Sequence, residues 1–136
     1  MEKNFLGLDY GEKRIGLALA GEKERIARAF KTIHKLNELD DVVPAKDVVA
    51  FVVGLPLQPD GTEGNTATSA RLFAARLEEK YKLPVYWQDE RKSSVAAENY
   101  LKEGLCMRPN KRKEILDAES ARIILQLWLK GNKESK

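Results

Sequence analysis

A single cysteine, Cys106, and a single histidine, His34, restrict the chemistry open to this chain. One thiol cannot close an intrachain disulfide, and it has no partner for a zinc site, which fits a reducing compartment. A Ser-His or Cys-His triad would have to use His34, which stands in an undistinguished segment and reads as structural. No apolar run approaches the roughly 20 residues of a membrane helix. The start, Met-Glu-Lys-Asn, leads into too few apolar residues for a signal peptide. A cytoplasmic protein with no membrane association is expected. Aromatic residues are only 7% of the chain, and Trp87 and Trp128 are most simply core. What is present suits one globular domain over 1–136: 136 residues, 43% apolar, with a tail from Gly131 expected to fray. The net charge of +3 is weak support for a polyanion partner, so the placement of the charges matters more.

Hydrophobic pattern divides the chain. Phe5 to Leu8 reads as a buried strand ending at Asp9, Tyr10 to Lys13 as a turn, and Ile15 to Ala20 as the returning strand of a hairpin. A third strand is expected around 26–33, and a short helix near 35–43, stopped by Pro44. Val48 to Val53 is a continuous apolar run suited to a strand covered on both faces. The Gly- and Pro-rich stretch 54–61 is a loop. A helix is expected over 65–81, with Ala70, Phe73, Ala74, Leu77 and Tyr81 on one face. Then come a short strand at 85–88, a helix from Ser93 or Ser94 to about Leu105, a polar basic loop over 104–113, and a last helix over 115–130. The order predicts an α/β fold: a mixed five-stranded sheet of hairpin and parallel strands, flanked by helices.

Three acids stand at element ends. Asp9 closes the first strand, where an ordinary turn-forming role is the alternative. Asp89 and Glu90 close the short strand at 85–88. Alternation sends them to opposite faces, so only one can join a shared site. Asp117 opens the expected last helix, where a first-turn acid commonly serves the helix dipole. Yet Asp117, Ala121, Ile124 and Trp128 form one apolar stripe, which turns this aspartate inward. Clustered carboxylates repel unless a cation holds them. Hard oxygen donors suit Mg2+ or Mn2+, and two such ions can drive phosphodiester cleavage.

Cations adjoin each acid: Lys13 and Arg14, Arg91 and Lys92, and the group Arg108, Lys111, Arg112 and Lys113. A carboxylate site for a polyanion needs such a rim, and the third group reads as a flexible phosphate clamp. The loop 55–64 leads into a helix N-terminus, where Thr62 or Asn65 could hold a phosphate, though no Walker motif is present.

These segments together resemble the YqgF family, also called RuvX, of the RNase H-like superfamily. The likeness rests on Leu8-Asp9-Tyr10-Gly11 with Arg14-Ile15-Gly16-Leu17-Ala18, Val53-Gly54-Leu55-Pro56-Leu57 with Asp60-Gly61-Thr62-Glu63, Asp89-Glu90-Arg91 with Ser93, and Asp117-Ala118 before an apolar helix. It covers nearly the whole chain. It implies an RNase H-like fold, metal-assisted phosphodiester cleavage, and catalytic and metal-binding roles for Asp9, Glu90 and Asp117, with Asp89 in reserve. Lys92 and Ala96 depart from the family pattern of Leu and Glu, without touching the acids. The family is associated with maturing the 5′ end of the small-subunit ribosomal RNA precursor, and also with Holliday junction resolution. Structured RNA therefore ranks ahead of a DNA junction as the partner. The protein would act as a monomer or a homodimer, and a resolvase would need the dimer. Two further alternatives are a nucleotide-binding phosphotransferase, suggested by Asp9-Tyr10-Gly11 with Gly16, and a binding module without activity.

Overall fold

The computed structural model describes residues 3–11, 13–57, 60–89 and 109–131, with the side chains of 109–114 outside that description. The chain opens with an antiparallel meander: β1 (Asn4–Tyr10), β2 (Ile15–Gly21) and β3 (Ala27–Ile33). A 3-10 turn, Leu36–Glu38, runs into α1 (Leu39–Ala45). Then follow β4 (Val48–Leu55), α2 (Asn65–Tyr81), β5 (Val85–Asp89) and α3 (Pro109–Gly131). The sheet order is β3-β2-β1-β4-β5. β1 pairs antiparallel with β2, and β4 lies parallel to both β1 and β5. This is the mixed five-stranded sheet that the residue pattern predicts.

Each face of the sheet has its own core. Large residues fill the α1 and α2 side: Leu6, Leu8, Leu17, Phe51 and Val53 pack with Leu39, Phe73 and Leu77. The α3 side uses small residues, with Ala18, Ala20, Ala50 and Val52 under Ala121, Ile124, Leu125 and Trp128. Small side chains let the helix approach the sheet closely. A Cβ on Gly7 would come within 2.8 Å of the Leu125 Cβ. At the other end, the Phe5 and Trp128 rings meet edge-on at 5.4 Å. Helix α3 therefore runs antiparallel to β1, with its earlier residues over the carboxyl end of that strand. Two further ties fix it to the neighbouring edge: the Ala27 N–H donates to Gln126 Oε1 at 2.9 Å, and Arg25 donates to the Leu129 carbonyl at 3.0 Å.

β4 runs on through Gly54 and Leu55, which the sequence pattern assigned to the loop, and three other elements also differ from the sequence reading. Pro44 lies inside the last turn of α1 and does not stop it. The third strand starts at Ala27, leaving Ile26 53% exposed. The final helix starts at Pro109, so Lys111, Arg112 and Lys113 stand on its first turns and not in a flexible loop. Proline suits a first helical position, because the missing N–H would have no intrahelical partner there. The expected helix over 93–105 lies outside the described residues. No helix among those described is long and apolar enough to cross a membrane.

Candidate active site

Asp9 sits one residue before the end of β1, directly opposite Gly16 of β2. Phe5 and Gly7 meet α3, so strand alternation gives Asp9 to the same face. The pairing of β1 with β2 ends at Tyr10 and Ile15, where the hairpin turns back. A Cβ on Gly11 would stand 2.7 Å from the Arg14 carbonyl oxygen, so only glycine fits a turn this tight. The turn is also braced from outside, where His34 Nδ1 lies 3.3 Å from the Lys13 carbonyl oxygen. That contact is the structural role expected of the single histidine.

Asp117 reaches the same place from the far end of the sequence. It lies roughly two turns inside α3, not in the first turn as the sequence suggested, so service to the helix dipole does not account for it. The stripe holds as expected: Ala121 and Ile124 are fully buried and Trp128 is 9% exposed. At Asp117 the helix backbone rests on the sheet. A Cβ on Gly16 would collide with the Asp117 carbonyl. Gly16 is thus the seat that brings Asp117 level with Asp9. The sequence places Gly16 within a strand and in a motif shared with phosphate-binding hairpins, and points to no packing role for it. Its signal was a glycine inside a strand pattern, which marks close backbone approach.

Asp9, Tyr10, Gly11, Lys13, Arg14 and Asp117 line one cleft of about 250 Å³. Arg14 Nε donates to Asp117 Oδ2 at 2.6 Å, with the two side chains 31% and 21% exposed. The sequence placed Arg14 on a rim for substrate, whereas here it contacts one of the acids. Asp89 lies elsewhere. Val85 and Trp87 pack into the α2-side core while Tyr86 stacks on Trp128 at 5.0 Å, so alternation turns Asp89 away from the α3 face. Glu90, Arg91, Lys92 and Arg108 lie outside the described residues. Among the described residues, no three His, Cys, Asp or Glu side chains gather at a point.

The candidate phosphate loop before α2 is occupied by its own contacts. Asp60 Oδ1 accepts from the Thr62 N–H at 3.0 Å and from its hydroxyl at 2.7 Å. Glu63 holds Arg71 through two bonds of 2.8 and 2.6 Å, and Arg71 lies 5.0 Å over the Trp87 ring. The Arg71 hydrogen bonds hold the Glu63 carboxyl below its usual range. These contacts fasten the loop to α2 and β5.

The architecture is the RNase H-like fold. It matches T. thermophilus RuvC, solved in complex with a Holliday junction substrate, with a TM-score of 0.55 at 16% identity, over 97% of this chain and 98% of that one. The chain belongs to the RuvX family: the family described as "RuvX: Holliday junction resolvase" matches residues 3–131. Relatives in Burkholderia ambifaria and Burkholderia lata, each bearing the name "Putative pre-16S rRNA nuclease", are 43% identical over 134 residues. Those alignments span 94% of this chain and 89% of each relative.

Proposed function

We propose that this protein is a metal-dependent nuclease, a single domain over 1–136, that cleaves nucleic-acid phosphodiesters and processes the 5′ end of pre-16S rRNA in the cytoplasm. The observation that carries the reading is the shared cleft: Asp9 and Asp117, from opposite ends of the chain, line it together with Lys13 and Arg14. The names of the 43% identical relatives support the RNA substrate.

The donor set suits a hard divalent cation, Mg2+ or Mn2+, because it offers carboxylate oxygens and neither thiol nor imidazole. Asp9 and Asp117 would hold it, with Glu90 as the third ligand. Asp89 is set aside because Tyr86 lies on the α3 face and alternation sends Asp89 to the other one, which leaves Glu90 as the acid the family resemblance assigns. When bound, one or two such ions supply an activated water and offset the charge that gathers on the phosphoryl group. The protein's own part is to fix the acids on a rigid sheet and helix and to grip the substrate backbone through cations. Those cations are Lys13 and Arg14 in the hairpin turn and Lys111, Arg112 and Lys113 at the start of α3, joined by Arg91, Lys92 and Arg108.

A junction resolvase is the second reading, favoured by the description of the family. It requires a dimer that sets two clefts on one four-way DNA junction. Cleavage of a precursor rRNA fragment and of a four-way junction, assayed side by side with Mg2+ or Mn2+, separates the two. In either assay Asp9→Asn should lower cleavage by at least on the order of a hundredfold while leaving folding and binding nearly intact. Unchanged cutting by Asp9→Asn would end the catalytic assignment. Tight binding with no cleavage by the unmodified protein would leave only a binding module.

A further inference from the structure

Arg14 and Asp117 are 103 residues apart in sequence, yet their side chains meet at 2.6 Å. The pair is two-thirds or more buried, and both members line the cleft. The charged side chains described there are Asp9 and Asp117 against Lys13 and Arg14, one cation for each carboxylate. A divalent ion held by Asp117 would share that carboxylate with the Arg14 guanidinium and be repelled by it. A phosphodiester has the opposite preference, because a guanidinium fork matches phosphate oxygens well. The Nε contact uses one of the five N–H donors of Arg14.

We propose that Arg14 is the resident counter-ion of Asp117, and that it transfers to a substrate phosphate when nucleic acid binds, which opens Asp117 to the divalent cation. Metal and substrate then bind with positive coupling through one side chain, and linkage makes the coupling reciprocal. The inference rests on the nuclease reading, since it takes Asp117 as a metal ligand. Arg14 acts through Asp117 and is in that sense a positioning residue.

The test is Mn2+ binding to the full chain, followed by the loss of the free-ion electron paramagnetic resonance signal. Unmodified protein, Arg14→Gln, Arg14→Lys and Asp117→Asn are compared with and without a short RNA hairpin whose integrity is checked on a gel. Without RNA, Arg14→Gln should bind Mn2+ on the order of fivefold tighter than the unmodified protein, and Arg14→Lys should stay near the unmodified value. Adding the hairpin should tighten Mn2+ binding by a similar factor in the unmodified protein and very little in Arg14→Gln. A variant that merely disturbed the fold would lose affinity, so tighter binding separates the proposal from a structural role. Equal or weaker Mn2+ binding by Arg14→Gln overturns the proposal, and weaker binding would make Arg14 an orienting partner of the ligand. If Asp117→Asn weakens Mn2+ binding while Arg14→Gln leaves it unchanged, the counter-ion idea alone falls. If Asp117→Asn has no effect, the metal reading falls with it.

Discussion

Single side chains tie this fold together where the chain changes direction, and Glu38 is a clear case. Its carboxylate accepts the backbone N–H groups of His34 at 2.7 Å and Lys35 at 2.9 Å, closing the turn between β3 and α1. The His34 N–H contributes most, then that of Lys35, and together they hold the Glu38 carboxyl below the usual value of 4.5. A carboxyl depressed in the folded state adds stability that is complete above its unfolded pKa and is lost as pH falls through the folded one. The thermal midpoint of Glu38→Gln should therefore lie below that of the unmodified protein at pH 7. The gap should close as pH falls below 4.5 and through the depressed folded-state value. A gap that persists undiminished at acid pH would show that the Glu38 charge does not matter. At this scale the sequence singled out Asp9 and Asp117 because each ended or entered an apolar pattern, and both line one cleft. It could not show that Arg14 contacts Asp117, since nothing local links residues on a hairpin and a distant helix.

Among the elements, the β1–β2 hairpin and α3 build the cleft between them, and Gly16 is the point of contact. Gly16→Ala places a methyl group against the Asp117 carbonyl, and backbone on both sides leaves little room to yield. The cost should be roughly 1–3 kcal/mol, a fall in melting temperature of about 3–10 °C, with nuclease activity reduced because Asp117 is lifted away from Asp9. Calorimetry and a cleavage assay check both. An alanine variant of unchanged stability and activity would mean that α3 does not depend on this seat. The extent of α2 was legible because Ala70, Phe73, Ala74 and Leu77 are all buried at helical spacing. The start of α3 was not, because its first residues, Pro-Asn-Lys-Arg-Lys-Glu, carry no apolar stripe from which a period could be read.

The molecule as a whole carries a net charge of only +3, so its grip on a polyanion depends on where the cations stand. A loop could turn Lys111, Arg112 and Lys113 toward one phosphate run, but successive helix positions are rotated about 100° from each other. Position 113 lies one helical turn before Asp117, whereas 111 and 112 do not. Lys113→Gln should therefore flatten the dependence of log K on log salt for RNA binding by about one unit, and Lys111→Gln and Arg112→Gln by less. Binding titrations across a salt series decide it. Equal effects at all three positions would restore the clamp that the sequence suggested.

By itself the sequence determined the order of strands and helices among the described residues, the two-sided burial of β4, the inward stripe of α3 and the family to which the chain belongs, because these follow from local periodicity and from motifs at fixed spacing. Only the tertiary structure decided that Asp9 and Asp117 line one cleft, that Asp89 turns to the opposite face, that Arg14 sits on Asp117, and that a glycine is the floor on which the helix rests. Each of these depends on how close two distant backbones come. That distance is set by side-chain volume across a packed interface, which no pattern along a single segment records.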